Sequence, residues 1–170
     1  MIDRVRFHRA AAFAGVALAL AGPAGARSVG EWEVSPGPKS CIMLSTFEDD
    51  VSIGLLSPKT GGLSFIAGGE GLAGLVRPGQ KVGLNLKFAG KVPHDDWTDD
   101  AAAVTAMPDG RVVVMADWGT SFAAELADTV TASSTVTVSV GGKAVGTYDL
   151  SGSPLAYRQL TRCGSELAAK

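Results

Sequence analysis

Val82, Leu84, Leu86 and Phe88 alternate with Lys81, Gly83, Asn85 and Lys87. Successive side chains of an extended chain point to opposite faces, so this spacing predicts a strand with one apolar and one wet side. Val51, Ile53 and Leu55 repeat the pattern, as do Val136, Val138 and Val140 against Thr135, Thr137 and Ser139. Gly141-Gly142 then supplies a two-residue turn, because glycine takes the positive φ of such turns without steric cost. The predicted hairpin sets Val138 opposite Val145 and Tyr148 opposite Thr135. Further strands are expected over 30–34, 40–46, 63–67, 101–106 and 111–117. Val112-Val113-Val114-Met115 does not alternate, which predicts a central strand buried on both faces. Pro36-Gly37-Pro38, Pro58-Lys59-Thr60-Gly61-Gly62, Pro78-Gly79 and Pro108-Asp109-Gly110 separate these runs with turn chemistry. Closely spaced strands without long helices between them predict a mainly β fold, an antiparallel β-sandwich or barrel.

Two short helices interrupt the alternation. Residues 120–127 place Phe122 and Leu126 one turn apart beside Ala123 and Ala127, an apolar stripe. The second helix opens at Ser153-Pro154, where a serine can cap free amides and proline suits the first turn. Leu155, Ala156 and Leu160 are expected to face inward, with Cys163 one turn beyond Leu160. Arg158 and Arg162 are expected near its C-terminal end, complementing the helix dipole, and 165–170 as a frayed tail.

The first residues read as an address. Arg4, Arg6 and Arg9 form a charged head, 10–21 is almost wholly apolar, and Ala24-Gly25-Ala26 offers the small-x-small pattern of a signal peptidase site. The apolar stretch ends at Gly22-Pro23, well short of the about 20 residues that cross a bilayer. Residues 1–26 are therefore expected to be a secretory signal peptide, and 27–170 a single β-rich globular domain that spans no membrane after cleavage. The expected location is the periplasm or the cell exterior.

Composition adds exclusions. The whole chain has 170 residues with 15 Lys and Arg against 17 Asp and Glu. Cleavage at residue 26 removes three arginines and Asp3, so the remainder is more acidic. A nucleic-acid binder normally carries a basic excess, so nucleic acid is not an expected partner. Cys41 and Cys163 are the only cysteines. In an exported chain the simplest reading is one disulfide pinning the last helix to an early strand. Closing a loop of about 120 residues is worth roughly 4–5 kcal/mol in the chain-entropy model. One mature histidine and two distant cysteines do not make a zinc site, and no cofactor is expected.

The closing element Leu150-Ser151-Gly152-Ser153-Pro154-Leu155-Ala156-Tyr157-Arg158-Gln159-Leu160 ends at Cys163. It follows an early Trp-bearing segment, Gly30-Glu31-Trp32-Glu33-Val34, and a Cys-bearing one, Cys41-Ile42-Met43-Leu44. In this layout the chain resembles small exported alphaproteobacterial β-rich proteins of the invasion-associated locus B type. The cysteine number and placement depart from that pattern. The resemblance implies an exported, envelope-linked protein and brings no catalytic residues with it.

The densest candidate chemistry is His94-Asp95-Asp96-Trp97-Thr98-Asp99-Asp100. Asp95, Asp96, Asp99 and Asp100 around Trp97 offer either carboxylate oxygens for Ca²⁺ or an aromatic platform with acceptors for sugar hydroxyls. The plain alternative is a solvated acidic turn with Trp97 tucked onto the core. Phe47-Glu48-Asp49-Asp50 is expected to be a polar hairpin loop. Residues 68–75 form a Gly-rich connection with Leu72 and Leu75 expected at the surface; they lack the Lys and Ser/Thr of a phosphate loop. No G-x-S-x-G elbow is present, and His94 has no evident serine partner. The expectation is a non-catalytic exported module that binds another envelope or secreted protein. A carbohydrate- or Ca-binding module at the Trp97 loop is the alternative, and a small hydrolase the remote one.

Overall fold

A computed structural model describes residues 27–29, 31–91 and 93–169. The expected signal peptide, 1–26, lies outside the described residues. Ten strands form one antiparallel sheet: β1 (Arg27–Val29), β2 (Trp32–Pro36), β3 (Ser40–Thr46), β4 (Val51–Pro58), β5 (Ser64–Gly69), β6 (Lys81–Gly90), β7 (Trp97–Ala106), β8 (Val112–Asp117), β9 (Ser133–Val140) and β10 (Lys143–Asp149). Their lateral order is β1-β2-β3-β4-β5-β8-β7-β6-β9-β10. The helices are α1 (Ala123–Ala132) and α2 (Ser153–Ala168). The fold is mainly β, as the alternation predicts, and a single sheet curls around a single core.

Alternation decides what is inside. Trp32 and Val34, Cys41 and Met43, Ile53 and Leu55, Leu84 and Leu86, and Val136 and Val138 all point to one face and are buried. Burying each large side chain is worth roughly 1.5–3 kcal/mol. The helices cover the open side of the curl. α2 packs on β2, β3 and β4 and against α1, and α1 lies on β6 and β9. The Cys41–Cys163 disulfide joins β3 to α2 with a Cα–Cα distance of 6.1 Å. No described helix is long and apolar enough to cross a membrane.

Several local expectations are corrected. The last hairpin turns at Gly141-Gly142, with φ of 58° and 77°. Its register then slips by one, because Val145 is an extra residue in β10. Val138 therefore faces Gly146, and Tyr148 faces Val136. A β-bulge is invisible to a period-2 reading, since it adds a residue without altering composition. Leu72 is fully buried under a 3-10 turn at Glu70–Leu72, and Leu75 is half-buried rather than exposed. Phe122 lies before α1 and is 49% exposed, while Leu155 on α2 is 45% exposed, so neither joins the inward stripe. Ser153 does not cap α2: its hydroxyl donates to the Val130 carbonyl, and Gly152 in the left-handed region precedes the helix instead. The helix continues to Ala168, so Arg158 and Arg162 sit in its middle. In β8, Val113 and Met115 are half-buried, so its second face is partly wet.

Candidate functional site

The acidic Trp97 segment enters β7. Trp97 is inward and 8% exposed, so little of its ring is left for a ligand. The rings of Trp118 and Phe122 meet it nearly at right angles, at centroid distances of 5.1 and 6.3 Å. The Trp118 indole N–H donates to the Thr98 carbonyl. The four carboxylates do separate work. Asp99 accepts the Ala101 N–H at 2.8 Å, at the point where β7 carries an extra residue against β6. Asp96 pairs with Lys87 at 3.4 Å across exposed surface. Asp95 and Asp100 are exposed. Among the described residues, no three His, Cys, Asp or Glu side chains gather where they could hold a metal ion. His94 Nε2 is buried without a partner. Most of the aromatic surface that this corner offers to solvent belongs to Phe122, which the sequence pattern assigns to a helix stripe, with Trp118 half-buried beside Trp97.

A second region forms where the sheet ends. β10 is hydrogen-bonded to β9 alone, and no described strand pairs with its other edge. Facing that edge are the turn before β2 and the β3–β4 turn. Between them runs a groove of about 750 Å³ lined by Glu31, Thr46, Phe47, Glu48, Asp49, Thr147, Tyr148 and Asp149. Four of these eight residues are acids and none is a base.

Local chemistry builds both walls. Asp49 turns the β3–β4 hairpin by accepting the Val51 N–H, and Phe47 donates its N–H to the Val51 carbonyl. Asp50 follows with φ of 56°, and Gly69 of β5 passes so close beneath it that a Cβ there would strike the Asp50 carbonyl. Opposite, the Tyr148 hydroxyl crosses the groove to donate to Asp49 at 2.9 Å, and its ring lies 4.8 Å from that of Phe47. Burial, reinforced by the Asp49 carboxylate, pushes the Tyr148 hydroxyl far above its ordinary value, so it stays protonated. Hydrogen bonds from Ser151 hold the Asp149 carboxyl below its usual range, so it stays ionised.

A third concavity, of about 290 Å³, lies on the outer face of β3, β4, β5 and β8 among Ile42, Leu44, Ile66 and Met115. Ile66 is buried there, away from the main core. Sequence reading treats Phe47–Asp50 as an ordinary polar loop, and nothing local in it signals a groove. The missing information is long-range: Tyr148 lies 99 residues from Asp49, and only the curl of the sheet brings them together. Comparison with known proteins gave no match to a family model, a curated protein or a solved structure.

Proposed function

We propose that the chain is an exported, non-catalytic module of the bacterial envelope that docks another envelope or secreted protein. The observation that carries this reading is the unpaired edge of β10 opening onto the 750 Å³ groove. An unpaired edge presents backbone donors and acceptors that a second chain can satisfy, and natural proteins usually cover such edges. The disulfide is compatible with an oxidising compartment outside the cytoplasm, and the charged, apolar and small-residue head supports export.

Cross-linked capture of the tagged full-length chain from envelope extract tests the docking. One partner in near-equal amount, cross-linked through residues beside the groove, is the expected result. Repeated capture of no partner, or of one attached only at a distant face, would overturn it. Cell fractionation tests export: recovery of an unshortened chain from the cytoplasm would refute that half of the reading.

The Trp97 corner supports a second reading, a carbohydrate-binding module, because the exposed Phe122 ring packs against Trp97, which lies within a run of carboxylates in sequence. Trp97 and Trp118 would report binding by fluorescence. A Phe122→Ala variant should lose any sugar-induced change; an unchanged response, or no response of the parent to a panel of bacterial glycans, ends this reading.

A further inference from the structure

The β10 edge is not uniformly available. Near Ala144 and Gly146 the register is broken by the bulge at Val145, and Lys143 stands at the start of the strand. Both features blunt an edge against pairing. Beyond the bulge the strand runs regularly through Thr147, Tyr148 and Asp149, and these three residues form one wall of the groove. So the part of the edge that can accept a neighbour is the part that faces Glu31, Phe47, Glu48 and Asp49.

Resting on the docking reading above, we infer that the groove receives an extended, lysine- or arginine-bearing segment of the partner, added alongside Thr147–Asp149 of β10. The backbone edge supplies main-chain hydrogen bonds, which fix an extended conformation but do not choose a sequence. Charge makes that choice. Glu31, Glu48, Asp49 and Asp149 line the groove with no cation among the lining residues, so an acidic segment is repelled and a basic one attracted. The Tyr148–Asp49 hydrogen bond and the Ser151 contact to Asp149 orient two of these carboxylates without neutralising them. The half-buried Phe47 ring offers a face over which an ammonium or guanidinium can lie.

The test uses the purified full-length chain and a short blocked peptide of alternating lysine and threonine, with a glutamate-for-lysine version and spermidine as controls. Binding is read by anisotropy and backbone engagement by hydrogen exchange. The lysine peptide should bind and should weaken steeply with salt. It should lose about tenfold in affinity in the Glu31→Gln/Glu48→Gln double variant. Both positions are exposed, so the variant keeps its fold, checked by circular dichroism. Exchange in Thr147–Asp149 should slow on binding. Equal binding of spermidine, or peptide binding without slowed exchange there, would show simple charge attraction and overturn strand addition. Equal binding of the glutamate peptide, or no binding of the lysine peptide, would overturn the charge assignment. If the capture experiment still returns a partner cross-linked beside the groove, the docking reading survives that failure.

Discussion

The last strand of the sheet is tied back to the first ones in two places, by different means. On one side α2 follows β10 after a short turn and lies across β2 and β3, burying Ala156 and Leu160. The Trp32 indole N–H donates to the Ser151 carbonyl at 2.9 Å, and the disulfide makes the closure covalent. On the other side the only described ties are the Tyr148–Asp49 hydrogen bond and the Phe47–Tyr148 ring contact. The remainder is a groove walled by carboxylates. Apolar burial and a covalent cross-link close one side, whereas one hydrogen bond and one ring contact span an acidic groove on the other. Among the described residues, α2 covers the sheet on one side, and on the other no strand pairs with the β10 edge.

Breaking the covalent side should cost most. A Cys41→Ser/Cys163→Ser variant loses the constraint on a 122-residue separation, and urea denaturation should show a loss of roughly 4 kcal/mol, less if the disulfide is strained. A midpoint unchanged by reduction would mean that packing alone holds α2. Truncating Leu160, which is 1% exposed beneath α2, should cost about 2–5 kcal/mol by lost transfer energy and a residual cavity. The same denaturation experiment measures it. A small loss would mean that α2 settles into the space left behind.

How much of this comparison is legible in sequence depends on the range of the interactions. The covalent side is largely legible: two cysteines in an expected exported chain predict the disulfide, and Leu160 with Cys163 predicts the face of α2 that meets the sheet. Strand identity is legible too, because period-2 alternation is local; β3 spans the residues expected of it. The groove is not. Tyr148 reads as an ordinary hairpin residue, and the bulge at Val145 displaces even its predicted partner. The Trp97 segment is legible as a cluster, but the work of its individual side chains is not. A dense local cluster of carboxylates attracts notice, yet Asp99 serves the β7 backbone, Asp96 meets Lys87, and Trp97 fills the core.

The weaker side yields a smaller effect with a characteristic pH dependence. Tyr148→Phe removes a hydrogen bond to a carboxylate and should cost about 1–2 kcal/mol near neutral pH. The sign of the alkaline effect follows from the raised value of the hydroxyl in the folded state. Unfolded, the tyrosine ionises near its ordinary value of 10.0; folded, it keeps its proton to higher pH. The folded state then holds one more proton, so this contribution is complete below that value and declines as pH rises above it. Thermal melts of parent and variant should therefore converge above pH 10.0. A constant difference across that range would mean that folding does not alter the ionisation of the hydroxyl, and no difference at any pH would mean that Tyr148 stabilises through its ring contact with Phe47 alone, which phenylalanine keeps.

The smallest expected effect on stability is also the one that separates the two sides most sharply. Glu31 and Glu48 are exposed and line the groove. Replacing both with glutamine removes like charges from one wall, so the variant should melt within about 0.5 kcal/mol of the parent or slightly above it. Unlike the α2 side, where stability and structure are the same property, the groove would then hold charges that add nothing to folding. Residues that contribute nothing to the fold yet share one sign along an open strand edge are better explained by what they exclude and attract. A clear destabilisation of the double variant would instead make these carboxylates part of the β3–β4 turn, and the groove a by-product of how that turn is built.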